Sequence, residues 1–208
     1  MLTEMLSPVA IATWISLCIP WAEPRLAAAL VEAGSGGEPF LVTEASGQPF
    51  AAKTYAEAVR YVRQLKPTGE VYLGLAQVPL SSIKRMGLSA EHALDNCGSL
   101  ELGYTMFLEA YEQAGKVQKS PWKTVSVAYS IYRTHQKAVD TPFGKKATDF
   151  LMNAPVATPA PIDSPLRHGI LAEWSAGLAS RQSIQHPSEN LSLLTESEAI
   201  ARWARSRY

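Results

Sequence analysis

The residue with the clearest capacity for chemistry is Glu32, a carboxylate that stands between an apolar segment and a glycine-rich turn. Residues 25–31 are rich in alanine and leucine, which favour an α-helix. Gly34, Gly36 and Gly37 then provide the backbone freedom that a helix end and a tight turn require. A carboxylic acid half-buried among apolar side chains can keep its proton near neutral pH, as a general acid must. Glu32 is therefore a candidate general acid, and a solvated residue at a helix end is the alternative.

Other familiar reaction centres are missing from the sequence. The four histidines show none of the paired spacings typical of zinc sites, so we expect no metal and no cofactor. No serine lies in a Gly-x-Ser-x-Gly turn, and there is no glycine loop of the phosphate-binding type. A single carboxyl group still suffices to cleave a glycosidic bond when the substrate supplies its own nucleophile, because that group can first donate a proton and later accept one.

Two further polar side chains could belong to such a site. Gln77 lies within the apolar run 70–80, where a buried amide either holds local backbone or faces a ligand, and the structural role is the more usual. Tyr132 follows Tyr129 in a later helical segment, where tyrosines pack in the core more often than they line a cleft.

The composition indicates a globular protein without a charge-driven partner. Of 208 residues, 47% are hydrophobic, and Lys+Arg equals Asp+Glu at 19 each, so no charge excess favours nucleic acid or an anionic membrane. No apolar run reaches the length of a transmembrane helix. The apolar stretch 8–21 lacks the preceding cations of a signal peptide, and we expect it to be a core helix.

The two cysteines, Cys18 and Cys97, lie far apart and have no metal-type spacing. As a disulfide they would close a loop of about 80 residues and restrain the unfolded chain by roughly 4 kcal/mol. Two free buried thiols are equally compatible with the sequence taken alone.

Periodic spacing of apolar residues predicts a mainly helical α+β fold. Strand-type residues around a turn at Ser46-Gly47-Gln48-Pro49 predict a short β-hairpin within 38–53. The predicted helices span 8–19, 24–33, 54–65, 99–114, 122–135 and 143–153, with short helical turns at 81–86 and 89–94.

The composition changes near residue 154. Four prolines fall within residues 155–165, which indicates a linker, and the last lysine is Lys146. Residues 155–208 have few branched aliphatic side chains, so we expect a largely disordered tail with one short helix over 195–205. The predicted domains are therefore 1–154 and 155–208.

Five short segments follow one another in an informative order. They are Leu17-Cys18-Ile19-Pro20 with Glu23-Pro24, Val31-Glu32 with Ser35-Gly36-Gly37-Glu38-Pro39-Phe40, Tyr72-Leu73-Gly74-Leu75-Ala76-Gln77-Val78, Gly87-Leu88-Ser89 with Ala93-Leu94-Asp95-Asn96-Cys97, and Ala128-Tyr129-Ser130-Ile131-Tyr132. The second resembles a Glu-Ser-Gly-Gly-Asn-Pro-Phe motif and the third an Asp-Val-Gly-Leu-Met-Gln-Ile motif. On these residues the chain, from about 6 to 154, resembles the lysozyme-like lytic transglycosylases that serve type IV secretion and conjugation systems.

The resemblance implies a lysozyme-like domain in the bacterial periplasm that cleaves the MurNAc–GlcNAc linkage of peptidoglycan. Glu32 would protonate the bridging oxygen and then deprotonate the C6 hydroxyl of the sugar, which gives a 1,6-anhydro product. The cleavage would open the cell wall for the secretion or conjugation apparatus, whose components could contact the tail.

The resemblance also assigns the surrounding residues. Gln77, Tyr132, Ser35 and Gly74 would line the glycan groove. The family's cysteine pair corresponds to Cys18 and Cys97, which implies a disulfide.

The chain departs from the family at several positions. Ala33-Gly34 is inserted between Glu32 and the Ser-Gly-Gly turn, and Arg133 replaces an amide of the saccharide groove. A module of the same fold that binds glycan or a secretion partner without turnover is therefore the main alternative. For the transglycosylase no second carboxylate is obligatory, although Glu38 and Glu44 could assist. A hydrolytic muramidase is another alternative, and it would need a placed water and normally a second carboxylate.

Overall fold

The computed structural model describes residues 5–45, 48–135, 141–155 and 157–159. Within these ranges the chain is mostly helical with a small antiparallel sheet, which confirms the predicted mainly helical α+β class. The elements in chain order are α1 Pro8–Cys18, α2 Pro24–Gly34, β1 Leu41–Glu44, β2 Phe50–Ala51, α3 Tyr55–Gln64, β3 Val71–Leu73, β4 Val78–Pro79, α4 Leu80–Arg85, α5 Ala90–Leu94, α6 Asn96–Gly115, α7 Pro121–Thr134 and α8 Pro142–Asn153.

Polar caps start the helices close to where the sequence predicted. The hydroxyl of Ser7 accepts a hydrogen bond from the amide of Ala10 at 3.2 Å, and Pro8 follows as the first residue of α1. The hydroxyl of Thr54 accepts from the amide of Glu57 at 3.2 Å at the start of α3. These bonds satisfy amides that have no partner inside the helix, so they define where each helix begins.

The sheet is larger than the predicted hairpin. Its strand order is β2-β1-β3-β4, with each neighbouring pair antiparallel. Strands β1 and β2 form the predicted hairpin, whose turn residues Ser46 and Gly47 lie outside the described residues. Strands β3 and β4 come from the apolar run 70–80, and their alternation is hidden because most of that run is buried.

Helix α6 forms the centre of the hydrophobic core. It packs against α1, α2, α5 and α7, and the ring centroid of Phe107 lies 4.5 Å from that of Tyr129 on α7. Helix α1 buries Ile11, Trp14 and Ile15 in the same core, as expected of a core helix. No helix in the described part of the chain is both long and apolar enough to cross a bilayer.

Cys18 and Cys97 form a disulfide whose Cα atoms are 5.1 Å apart, the pair that the family resemblance implies. The bond joins the last residue of α1 to the first turn of α6 across 79 residues. It therefore fixes the start of the segment that leads into α2 against the central helix.

Helix α8 ends at Asn153, beside the predicted domain boundary at residue 154. It packs against α2 and α7, so it belongs to the helical domain. The predicted tail helix over 195–205 lies outside the described residues.

Candidate functional site

The predicted site residues surround the place where the end of α2 meets the turn between β3 and β4. Gly34, the last residue of α2, faces that turn so closely that a Cβ atom added to it would lie 3.2 Å from Cγ of Gln77. The turn itself is closed by a hydrogen bond from the amide of Gln77 to the carbonyl of Gly74 at 3.0 Å.

The side-chain amide of Gln77 forms its hydrogen bonds with other groups of the protein. Its Oε1 accepts from the hydroxyl of Thr43 at 2.5 Å, and its Nε2 donates to the carbonyls of Leu41 at 3.0 Å and Gly74 at 3.1 Å. The residue is fully buried and has a positive φ of 55°. Gln77 therefore joins β1 to the β3–β4 turn, and its amide faces no open groove in this structure.

Tyr132 supports the same turn from α7. Its hydroxyl donates to the carbonyl of Ala76 at 2.8 Å, and the residue is only 2% exposed. Burial raises the pKa of this hydroxyl well above its ordinary value, so it stays a neutral donor. Gly103 on α6 makes room for the contact, since a Cβ there would lie 3.2 Å from the tyrosine oxygen.

Ser35 and Gly74 complete this framework. The hydroxyl of Ser35 donates to the carbonyl of Leu75 at 2.7 Å and accepts from the amide of Gly37 at 3.1 Å. Gly74 has a φ of 72°, and a Cβ there would lie 2.1 Å from the carbonyl oxygen of Ala93. The structure thus brings the four residues assigned to the glycan groove together, but as buried supports of the β3–β4 turn.

Glu32 is turned away from these residues, so it does not face the groove that the resemblance assigns to Gln77 and Tyr132. Helix α2 continues without a bulge through Ala33 and Gly34, so Glu32 and Gly34 are about 200° apart around the helix axis. Ala33 and Gly34 therefore extend α2 by two residues, and Gly34 lies directly before the Ser-Gly-Gly turn.

The partner of Glu32 is Lys146 on α8. The ammonium group of Lys146 lies 4.0 Å from Oε1 of Glu32 and donates to the backbone carbonyl of Glu32 at 2.6 Å. The Glu32 side chain is 39% exposed. Glu32 therefore has a cation and solvent around it, where a general acid needs an apolar enclosure.

Glu38 is partly buried, and one oxygen of its carboxyl group is shielded from solvent. It follows Gly36 and Gly37, whose φ values of 63° and 91° turn the chain out of α2. Its Oε2 is buried and has no hydrogen-bond partner among the described residues, and desolvation raises the pKa of the carboxyl above its ordinary value. The other carboxylate considered, Glu44, ends β1 opposite Val71.

Arg133 follows Tyr132 at the end of α7 and lies over the sheet. Its guanidinium carbon is 3.3 Å from the centroid of the Tyr72 ring and 5.6 Å from that of Phe143. The hydroxyl of Tyr72 donates to the backbone carbonyl of Arg133 at 3.0 Å. The sequence marked Arg133 only as a departure from the family, because nothing in its spacing shows that Tyr72 lies beneath it.

A separate cavity of about 230 Å³ lies between α3, α4 and α5. Apolar side chains such as Val62, Leu80 and Leu94 line it, and the ion pair of Arg63 with Glu91 at 3.0 Å borders it. It contains none of the residues that the sequence assigned to a site.

Compared with known proteins, the chain matches no protein-family model, no curated protein and no solved structure.

Proposed function

We propose that this chain is a lysozyme-like domain of the bacterial envelope that binds the glycan strands of peptidoglycan without cleaving them. The ordered resemblance of five segments supports the substrate class. The observation that supports the absence of cleavage is the position of Gly34, which faces Gln77 directly before the Ser-Gly-Gly turn. The resembled family has its catalytic glutamate at that position. Glycine has no acidic side chain that could protonate the bridging oxygen.

The disulfide between Cys18 and Cys97 supports the location. Structural disulfides persist in oxidising compartments such as the bacterial periplasm and are rare in the cytosol. In the setting that the resemblance suggests, the domain would hold the cell wall at a type IV secretion or conjugation apparatus. Residues 155–208 would then be the segment that contacts the apparatus.

A second candidate is lytic transglycosylase activity with Glu38, and not Glu32, as the acid. The specific support is the buried, unpartnered Oε2 of Glu38 and the raised pKa of its carboxyl. This carboxyl would protonate the bridging oxygen as the glycosidic bond breaks. It would then take the proton from the C6 hydroxyl, whose oxygen bonds to C1 and closes the 1,6-anhydro ring.

Co-sedimentation with purified peptidoglycan sacculi tests the binding proposal. We expect the full-length protein to pellet with sacculi and to be displaced by soluble peptidoglycan fragments. It should stay in the supernatant with cellulose, a control polymer without N-acetyl groups or peptides. Protein that remains soluble at every sacculus concentration would contradict the proposal.

A further inference from the structure

Both the backbone and the side chain of Arg133 are held in place by neighbouring residues. Its backbone carbonyl accepts the hydrogen bond from Tyr72, and its guanidinium group stacks on the ring of the same tyrosine. Phe143, at the start of α8, approaches the guanidinium from a second element. The position of the cation therefore depends on β3, α7 and α8 together, and little ordering would remain to be done on binding.

The charge of Arg133 is not neutralised within the described part of the chain. No carboxylate oxygen there lies within 4.0 Å of the guanidinium, and Nη1 is buried without an acceptor. The acidic residue that influences it electrostatically is Glu70, whose carboxylate accepts instead from the amide and hydroxyl of Ser81. A half-buried cation that lacks an anion is costly, since both its desolvation and its unmade hydrogen bonds oppose folding.

We infer that Arg133 is the binding site for a carboxylate group of the ligand, and that on peptidoglycan this group belongs to the peptide stems. The guanidinium can donate two parallel hydrogen bonds to one carboxylate through Nε and Nη2, since only Nη1 among its nitrogens is buried without an acceptor in the described part of the chain, and the Tyr72 ring fixes its plane. The glycan backbone of the polymer has amide and hydroxyl groups, whereas its peptides end in free carboxylates. The inference rests on the proposed function, because it names which chemical group of peptidoglycan the domain recognises.

The position of Arg133 at the end of α7 also favours a cation. Arg133 lies in the last turn of the helix, next to carbonyl groups that carry the negative end of the helix dipole. These carbonyls stabilise the arginine in the free protein but repel a carboxylate that approaches them directly. A ligand carboxylate would therefore contact the side-chain nitrogens away from the helix end.

Binding measurements on chemically matched ligands test the inference. Soluble disaccharide-peptide fragments of peptidoglycan are compared with the same fragments after their carboxylates are converted to amides. We expect the wild-type protein to bind the carboxylate form at least about tenfold more tightly, the usual effect of hydrogen bonds to a charged group. Arg133→Gln should bind both forms equally, and Arg133→Lys should recover only part of the difference because it lacks the planar fork.

The controls separate failure of this inference from failure of the proposed function. Arg60 is an exposed arginine on α3, and Arg60→Gln should keep the wild-type preference. An Arg133→Gln protein that is folded and retains the preference would overturn the inference while leaving glycan binding intact. Wild-type protein that binds neither form, nor an oligomer of N-acetylglucosamine, would overturn the proposed function itself.

One internal competitor is tested in the same way. Asp140, outside the described residues, is the first acidic residue after Arg133 in the sequence. If Asp140→Asn and Arg133→Gln lowered the melting temperature equally and without additivity, the arginine would be paired internally, and the inference would be wrong. We expect additive and unequal effects.

Discussion

The polar side chains at and around the sheet fall into two sets that differ in how they use their hydrogen bonds. The inner set, Gln77, Tyr132 and Ser35, is buried and bonded to backbone carbonyls of the sheet and the β3–β4 turn. The outer set, Glu38 and Arg133, has one buried atom each without a partner among the described residues. The inner set supports the β3–β4 turn, whereas Glu38 and Arg133 are only partly buried and keep unused hydrogen-bonding capacity.

This comparison distinguishes motif residues that support the fold from motif positions at which this chain differs from the resembled family. Gln77 of the Gly-Leu-Ala-Gln segment and Tyr132 of α7 hold the fold, because their loss would leave backbone carbonyls unpaired. The positions at which the chain differs from the motifs that it resembles include Gly34, Glu38 and Arg133, where those motifs have an acid and two amides.

The largest effect is expected where the inner framework is tightest, at Gly74. A Cβ there would lie 2.1 Å from the carbonyl of Ala93, and φ is 72°, so Gly74→Ala should lower the free energy of unfolding by about 3 kcal/mol or more. Gly87 has nearly the same φ, 71°, but a Cβ added there would meet nothing within 4 Å. Gly87→Ala should therefore lower it by only about 1 kcal/mol.

Urea denaturation of the two variants checks this prediction. Because the conformational strain is common to both, the difference between them measures the close approach of the β3–β4 turn to α5. Equal destabilisation would mean that the turn is not packed against α5 as described, and the inner set would lose its role as a framework.

A smaller effect is expected in the outer set, at Glu38. Burial raises the pKa of its carboxyl above the ordinary value of 4.5, so the folded state favours the protonated form. Its contribution to stability is complete below the pKa of the unfolded chain and is lost as the pH rises through the folded pKa. Glu38→Gln, which cannot ionise, should therefore gain stability relative to the wild type as the pH rises from about 4 to about 7.

Denaturation curves at several pH values measure this gain. Glu109 is an exposed glutamate on α6, and Glu109→Gln should show no comparable trend. A constant difference between Glu38→Gln and the wild type across this range would mean that the carboxyl is solvated, and the second candidate function would lose its support.

Much of the fold could be predicted from the sequence because its signals are local. Proline and a polar cap mark the start of α1, and the three- and four-residue spacing of apolar side chains marks α6, although that helix begins at Asn96 and not at the predicted Ser99. Asp95 accounts for the earlier start, since its carboxylate caps the amide of Gly98 at 2.7 Å.

The sequence predicted that Gln77, Tyr132, Ser35 and Gly74 come together, but it could not predict how the neighbouring side chains are oriented. Whether Ala33-Gly34 loops out or extends α2 depends on packing against α8 and the β3–β4 turn, and that choice rotates Glu32 by about 200°. The contact of Arg133 with Tyr72 joins residues 61 positions apart, so no local pattern indicates it.

The central claim is that this domain binds peptidoglycan without a positioned acid, and mass spectrometry of the fragments released from purified sacculi tests it most directly. The disulfide-bonded wild-type protein is incubated with sacculi under conditions in which it co-sediments with them. The soluble fraction is then analysed over time. We expect no fragments above those of a sample without protein. Release of fragments with 1,6-anhydro ends, or with reducing ends as a muramidase would give, would contradict the claim. If that release persisted in Glu32→Gln and fell by a factor of about 10² to 10⁴ in Glu38→Gln, Glu38 would be the acid.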